Sequence, residues 1–203
     1  MEPTSIDPLP PAFSRSRFLT LAASVQGGVV LFACLIGWGI GIDPWSLVRW
    51  EGRSFAFGVL AVVPMLGLYS FSPGLRKLAI DALGESLSQC RWYELVILAA
   101  LAGVGEELLF RGVIDSGLSR INPWFALIAS NVAFGLLHAM SRNYFLATTG
   151  IGVAMHFLAN ATGERNLLAP MVAHGVYDYI AFHLLIREWK RLSPVRPLNR
   201  RDG

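Results

Sequence analysis

The sequence predicts an all-α fold, a polytopic transmembrane helix bundle of about six spans. Three observations carry this. Of its 203 residues 54% are hydrophobic and only 15% charged, with mean hydropathy +0.50, whereas soluble domains carry about 25% charged residues. The apolar residues fall in long blocks. Turn chemistry and tryptophans mark the block ends, as an interfacial belt would: Trp45, Trp50, Trp92, Trp124 and Trp189 all lie there.

The first block, Phe18–Ile42, holds no charge and is long enough to cross a hydrocarbon core of about 30 Å as a helix. Its length exceeds the roughly 7–15 apolar residues of a signal peptide, and no Ala-x-Ala-like cleavage site follows. It is read as a retained anchor. Residues 1–17 before it, rich in proline, are read as a mobile tail. Further apolar segments follow at about Phe55–Phe71, Trp92–Gly117, Pro123–Ala139, Tyr144–Ala161 and Leu167–Ile186. The separators are Asp43-Pro44, Ser72-Pro73-Gly74, Asn122-Pro123, Ser141-Arg142-Asn143 and Thr162-Gly163. The bundle thus spans residues 18–187, and residues 188–203 form a basic tail.

With six spans, one side collects Arg15, Arg17, Arg76, Lys77, Arg91, Arg142, Arg187, Lys190, Arg191, Arg196, Arg200 and Arg201, twelve basic residues against five on the other. Both termini, the basic tail included, are therefore expected in the cytoplasm. The net charge of +3 sits between and after the apolar blocks, which argues for lipid and against nucleic acid as a partner. Cys34 and Cys90 offer neither a disulfide framework nor metal-ligand spacing.

Charge within a span costs about 2.5–3.5 kcal/mol on insertion scales, so each buried ionisable residue needs a reason. The third segment holds Glu106, Glu107 and Arg111. Glu107 and Arg111 are four apart on one face and can pair. Glu106, rotated by about 100°, must find its partner on another helix. The fourth segment holds Phe134 and His138. Counted from the turn at Ile121–Asn122, Glu107 and His138 both lie roughly 23 Å away, which lets Glu106 and His138 meet. The sixth places His174 and Asp178 on one face. His183, nine residues beyond His174, falls on the opposite face, and His156 reads as structural.

Glu-Glu-x-x-x-Arg at 106–111, Phe-x-x-x-His at 134–138 and His-x-x-x-Asp at 174–178, in this order on successive helices, resemble the CAAX-protease and bacteriocin-processing (CPBP) family, the Abi or type II CAAX prenyl endopeptidase group. The resemblance runs from about Trp92 to Ile186 and implies an intramembrane protease core there. It implies Glu106 as the activator of the attacking water and His138 as its second holder. His174 and Asp178 would stabilise the oxyanion or bind metal, while Glu107, Arg111 and Phe134 shape the site. Asp178 stands where many members have asparagine, which adds a negative charge favouring metal. Two mechanisms fit: Zn²⁺ held by His138, His174 and Asp178 with an open position for water, or metal-free activation of water by Glu106 and His138. The substrate implied is a membrane-associated protein or peptide, and so short a chain reads as a protein of a bacterial inner membrane. The competing reading is a non-enzymatic transporter, or a partner-binding or immunity protein, using the same polar cluster. No internal repeat of a transporter is present, and neither Gly-x-Ser-Gly nor Gly-x-Ser-x-Gly occurs.

Overall fold

The computed structural model describes residues 13–193, and every regular element among them is helical. α1 (Arg15–Gly39) ends in a reversal at Gly41, whose φ of 68° suits a residue without Cβ. A short 3₁₀ turn (Pro44–Leu47) follows, opened by Asp43, whose carboxylate accepts the Trp45 N–H at 3.0 Å. α2 (Gly52–Phe71) and α3 (Pro73–Ser88) meet at Ser72, with proline in the first turn of α3 where its missing N–H costs nothing. α4 (Trp92–Glu107) continues through a π-helical stretch (Leu108–Asp115) into α5 (Ser116–Ser119). α6 (Pro123–Leu137) starts on Asn122, whose side chain accepts the Trp124 and Phe125 N–H groups. α7 (Arg142–Ala159) starts on Ser141 in the same way. α8 (Leu168–Leu192) runs six residues past the end read from its apolar run.

α8 is the centre of the bundle, packed by α2, α3 and α4, while α1 lies on α4 and α6 on α7. Small residues set these approaches. A Cβ on Gly103 would stand 2.8 Å from the Gly175 nitrogen and 3.0 Å from the Met171 oxygen, so α4 and α8 touch backbone to backbone. Gly58 meets Ala169 and Val172 of α8 in the same manner, and Gly84 of α3 receives the Trp189 ring.

Two helices, α1 and α2, are long and apolar enough to cross a membrane, and α6 is apolar but shorter. The expected count of six is not reached by that measure. Two reasons are visible: α4 and α8 carry the buried ionisable residues, and α6 stops at His138. α3 is a helix where the sequence reading left only a turn and a connecting loop. Its residues alternate between a buried face (Ala79, Ile80, Leu87) and an exposed Lys77–Asp81 pair, so no unbroken apolar run announces it. The outer surface is apolar: Leu31, Phe32, Leu35 and Trp38 on α1, Leu60 and Val63 on α2, and Phe125 and Ile128 on α6 are all exposed. Of the tails, residues 1–12 and 194–203 lie outside the described residues, Arg196, Arg200 and Arg201 among them.

Candidate functional site

Each polar residue of the site is delivered by a different packing device. Glu106 and Glu107 are the last residues of regular α4, immediately before the π-helical stretch. A π-turn widens the helix and re-aims its side chains, and such turns recur at functional sites. His138 closes α6 as its C-cap, and its Nδ1 donates to the Phe134 carbonyl at 2.9 Å. His174 sits in the second turn of α8, beside the Gly103–Gly175 contact that brings α8 against α4.

The result is convergence around one carboxylate. Glu106 Oε2 lies 3.4 Å from His138 Nε2 and 3.9 Å from His174 Nε2, and it is buried with no hydrogen-bond partner. Asp178 Oδ2 is 3.6 Å from the same His174 Nε2. Both imidazoles spend Nδ1 elsewhere: His138 on its own helix, His174 on Glu107 Oε1 at 3.1 Å. Anchoring Nδ1 on an acceptor fixes the ring and turns Nε2 toward the centre. Glu106, His138, His174 and Asp178, read from three separate motifs, therefore stand together.

Behind them lies a layer sealed from solvent. Glu107 and Arg111 are 0% and 1% exposed and pair at 3.1 Å. Arg111 also donates to Asn131 Oδ1 at 3.2 Å and to the Gly152 carbonyl at 2.9 Å, and its guanidinium lies 4.5 Å from the centre of the Phe134 ring. Phe134 in turn contacts the rings of His138 and His174, with centroids 4.6 and 6.2 Å away. Glu107, Arg111 and Phe134 thus support the polar centre from below.

Some participants carried no sequence signal. Gln26 of α1 donates to Glu106 Oε1 at 3.0 Å across 80 residues of sequence. Only its polarity within the uncharged first block could have pointed to it. Asn131 is an ordinary polar residue three before Phe134. Asp115, fully buried, accepts from His156 Nδ1 at 2.6 Å and pairs with Arg165. This ties the end of the π-helical stretch to α7 and to the loop before α8. His156 is therefore one partner in a buried charge cluster. His183 is exposed and turned onto its own helix, with Nδ1 on the Tyr179 carbonyl, away from the site.

A cavity of about 290 Å³ opens onto the cluster. Glu106, His138, His174 and Asp178 line one part of it. Met65, Leu68, Ile151 and Phe182 give it apolar walls, and it reaches Ser72 and Arg76 at the α2–α3 junction. There Arg76 Nε pairs with Glu188 Oε2 of α8 at 3.1 Å, close to Tyr69. The donor chemistry suits zinc: two imidazole Nε2 atoms with Nδ1 already held, and carboxylate oxygens nearby. In their present spacing, however, no three His, Cys, Asp or Glu side chains among the described residues are close enough together to hold a metal ion.

Residues 88–180 match the family model described as Rce1-like, type II CAAX prenyl endopeptidase Rce1-like. The resemblance read from the three motifs is borne out over that segment, which contains every residue of the cluster except Gln26. The family is one of membrane-embedded proteases. No curated protein and no solved structure matches the chain.

Proposed function

With residues 88–180 assigned to the type II CAAX prenyl endopeptidase family, we propose that the chain is an intramembrane endopeptidase that hydrolyses a peptide bond of a membrane-associated protein or peptide. The observation that carries this is the unpartnered Glu106 Oε2 facing two imidazole Nε2 atoms in the wall of a cavity. A water held between Glu106 and His138 loses its proton to the carboxylate as its oxygen attacks the scissile carbonyl carbon. The oxyanion that forms accepts from the Nε2–H of protonated His174, whose Nδ1–H rests on Glu107. Asp178 steadies that imidazole when it carries charge. As the tetrahedral intermediate collapses, the C–N bond breaks and the proton taken by Glu106 passes to the leaving amine.

Zinc is the alternative the family resemblance leaves open. His138, His174 and Asp178 would hold it, and it would supply a more acidic water and a polarised carbonyl. We place the protein in a bacterial inner membrane as a bundle of six spans with both termini in the cytoplasm. The apolar outer faces of α1, α2 and α6 support a lipid surrounding.

The test compares membranes from cells making wild-type protein with those making Glu106→Ala, with new peptide termini read by mass spectrometry. Termini present only with wild type are expected. On such a substrate Glu106→Ala, His138→Ala and His174→Ala lose cleavage, Asp178→Ala loses most of it, and His183→Ala keeps it. Zinc near one per chain, lost with His174→Ala, selects the metal route; full activity in chelator selects the metal-free one. Cleavage that persists in Glu106→Ala rejects the assignment.

A further inference from the structure

α1 lies outside the segment matched to the family, yet it reaches the reacting carboxylate. Gln26 Nε2 donates to Glu106 Oε1 at 3.0 Å. The amide cannot be turned over, because that would set its oxygen against a carboxylate oxygen. Gln26 Oε1 is itself buried without a partner, as is Glu106 Oε2, and Gln26 lines the same cavity as Glu106 and both histidines. The approach is permitted by the residue beside Glu106. A Cβ on Gly105 would stand 3.2 Å from Val30 Cγ2 and 3.3 Å from the Gln26 backbone oxygen. A polar amide within the uncharged run Phe18–Ile42 is costly unless something uses it.

We propose that Gln26 is a positioning residue for Glu106, so that α1 completes a site whose other residues all come from the second half of the chain. By holding Oε1 it fixes the carboxylate plane and leaves Oε2 as the oxygen that faces His138 and His174. The proposal rests on the reading of Glu106 as the base. A hydrogen bond to a charged group is worth about 1.5–3 kcal/mol, so its loss from the transition state corresponds to a rate loss of about ten- to a hundredfold.

The test uses the full chain in proteoliposomes, with glutamate side chains labelled with ¹³C. Difference infrared spectra against Glu106→Gln in the same background isolate the Glu106 carboxylate stretch. Gln26→Leu is expected to shift that band and leave the melting temperature within a few degrees. It should also lower kcat about tenfold or more on the substrate found by terminal mass spectrometry, with KM nearly unchanged. Gln26→Met serves should the leucine variant fail to fold. A helix-packing role alone would lower the melting temperature and leave both the band and kcat of the folded protein unmoved, which overturns the proposal. If the wild type cleaves nothing, the endopeptidase reading falls and takes this one with it. If it cleaves and Gln26→Leu keeps wild-type kcat, only the positioning role falls.

Discussion

Arg111 makes contacts that no lysine could reproduce. One guanidinium donates to Glu107, Asn131 and the Gly152 carbonyl while lying against the Phe134 ring. The planar fork satisfies three acceptors from three helices at once, and an ammonium has neither the reach nor the flat face. Arg111→Ala would leave Glu107 at 0% exposure without its guanidinium partner, with only His174 still on Oε1, a loss of about 3–5 kcal/mol. The expected outcome is a protein that extracts poorly or melts far below wild type in detergent. Arg111→Lys should recover part of that stability and little of the activity, because Phe134 and, through Glu107, His174 lose their support. A variant with wild-type melting temperature and wild-type cleavage would remove Arg111 from this role. Glu107 has two jobs that sequence spacing could only half reveal. The i,i+4 pairing with Arg111 was legible; its hydrogen bond to His174 was not, since nothing local says which helix face meets α8.

The α4–α8 contact is the element on which the site depends. Gly103 and Gly175 let the two backbones touch one turn away from Glu107 and one residue away from His174. Gly103→Ala adds a Cβ 2.8 Å from a backbone nitrogen that cannot yield, so the helices must part. We expect loss of cleavage together with a drop in melting temperature, whereas Gly67→Ala on α2, with nothing within 4 Å of its new Cβ, should match wild type in both assays. This scale also separates what the sequence carried from what it did not. Helix-forming blocks bounded by Asn122-Pro123 and Ser141 were readable because caps and proline act locally. The meeting of Glu106 with His138 followed from counting rise along a hairpin. α3 escaped because an amphipathic helix packed on α8 has no apolar run. Gln26, Asp115 and Arg165 escaped because their partners lie 80, 41 and 50 residues away in sequence, where only the tertiary fold decides neighbours.

At the scale of the whole molecule, the distribution of basic residues and the placement of the cavity make separate demands. The basic count predicts both termini on the cytoplasmic side. Reporter fusions after Asp202 and within residues 43–51 should therefore report opposite faces; agreement between them would reject the arrangement. The cavity adds a kinetic constraint. The sealed layer of Glu107, Arg111, Asn131 and Asp115, each 0–1% exposed, closes the space behind the cluster, while the space extends forward to Ser72 and Arg76 at the α2–α3 junction. We expect substrate to enter and leave by that forward side. Both fragments of a cut chain must leave by the route the intact chain took, the outer fragment first and the inner one only after it. Release is then compulsorily ordered, and the inner fragment competes with fresh substrate for the same space. Progress curves should bend early, and adding the purified inner fragment at the start should raise the apparent KM while leaving the maximal rate unchanged.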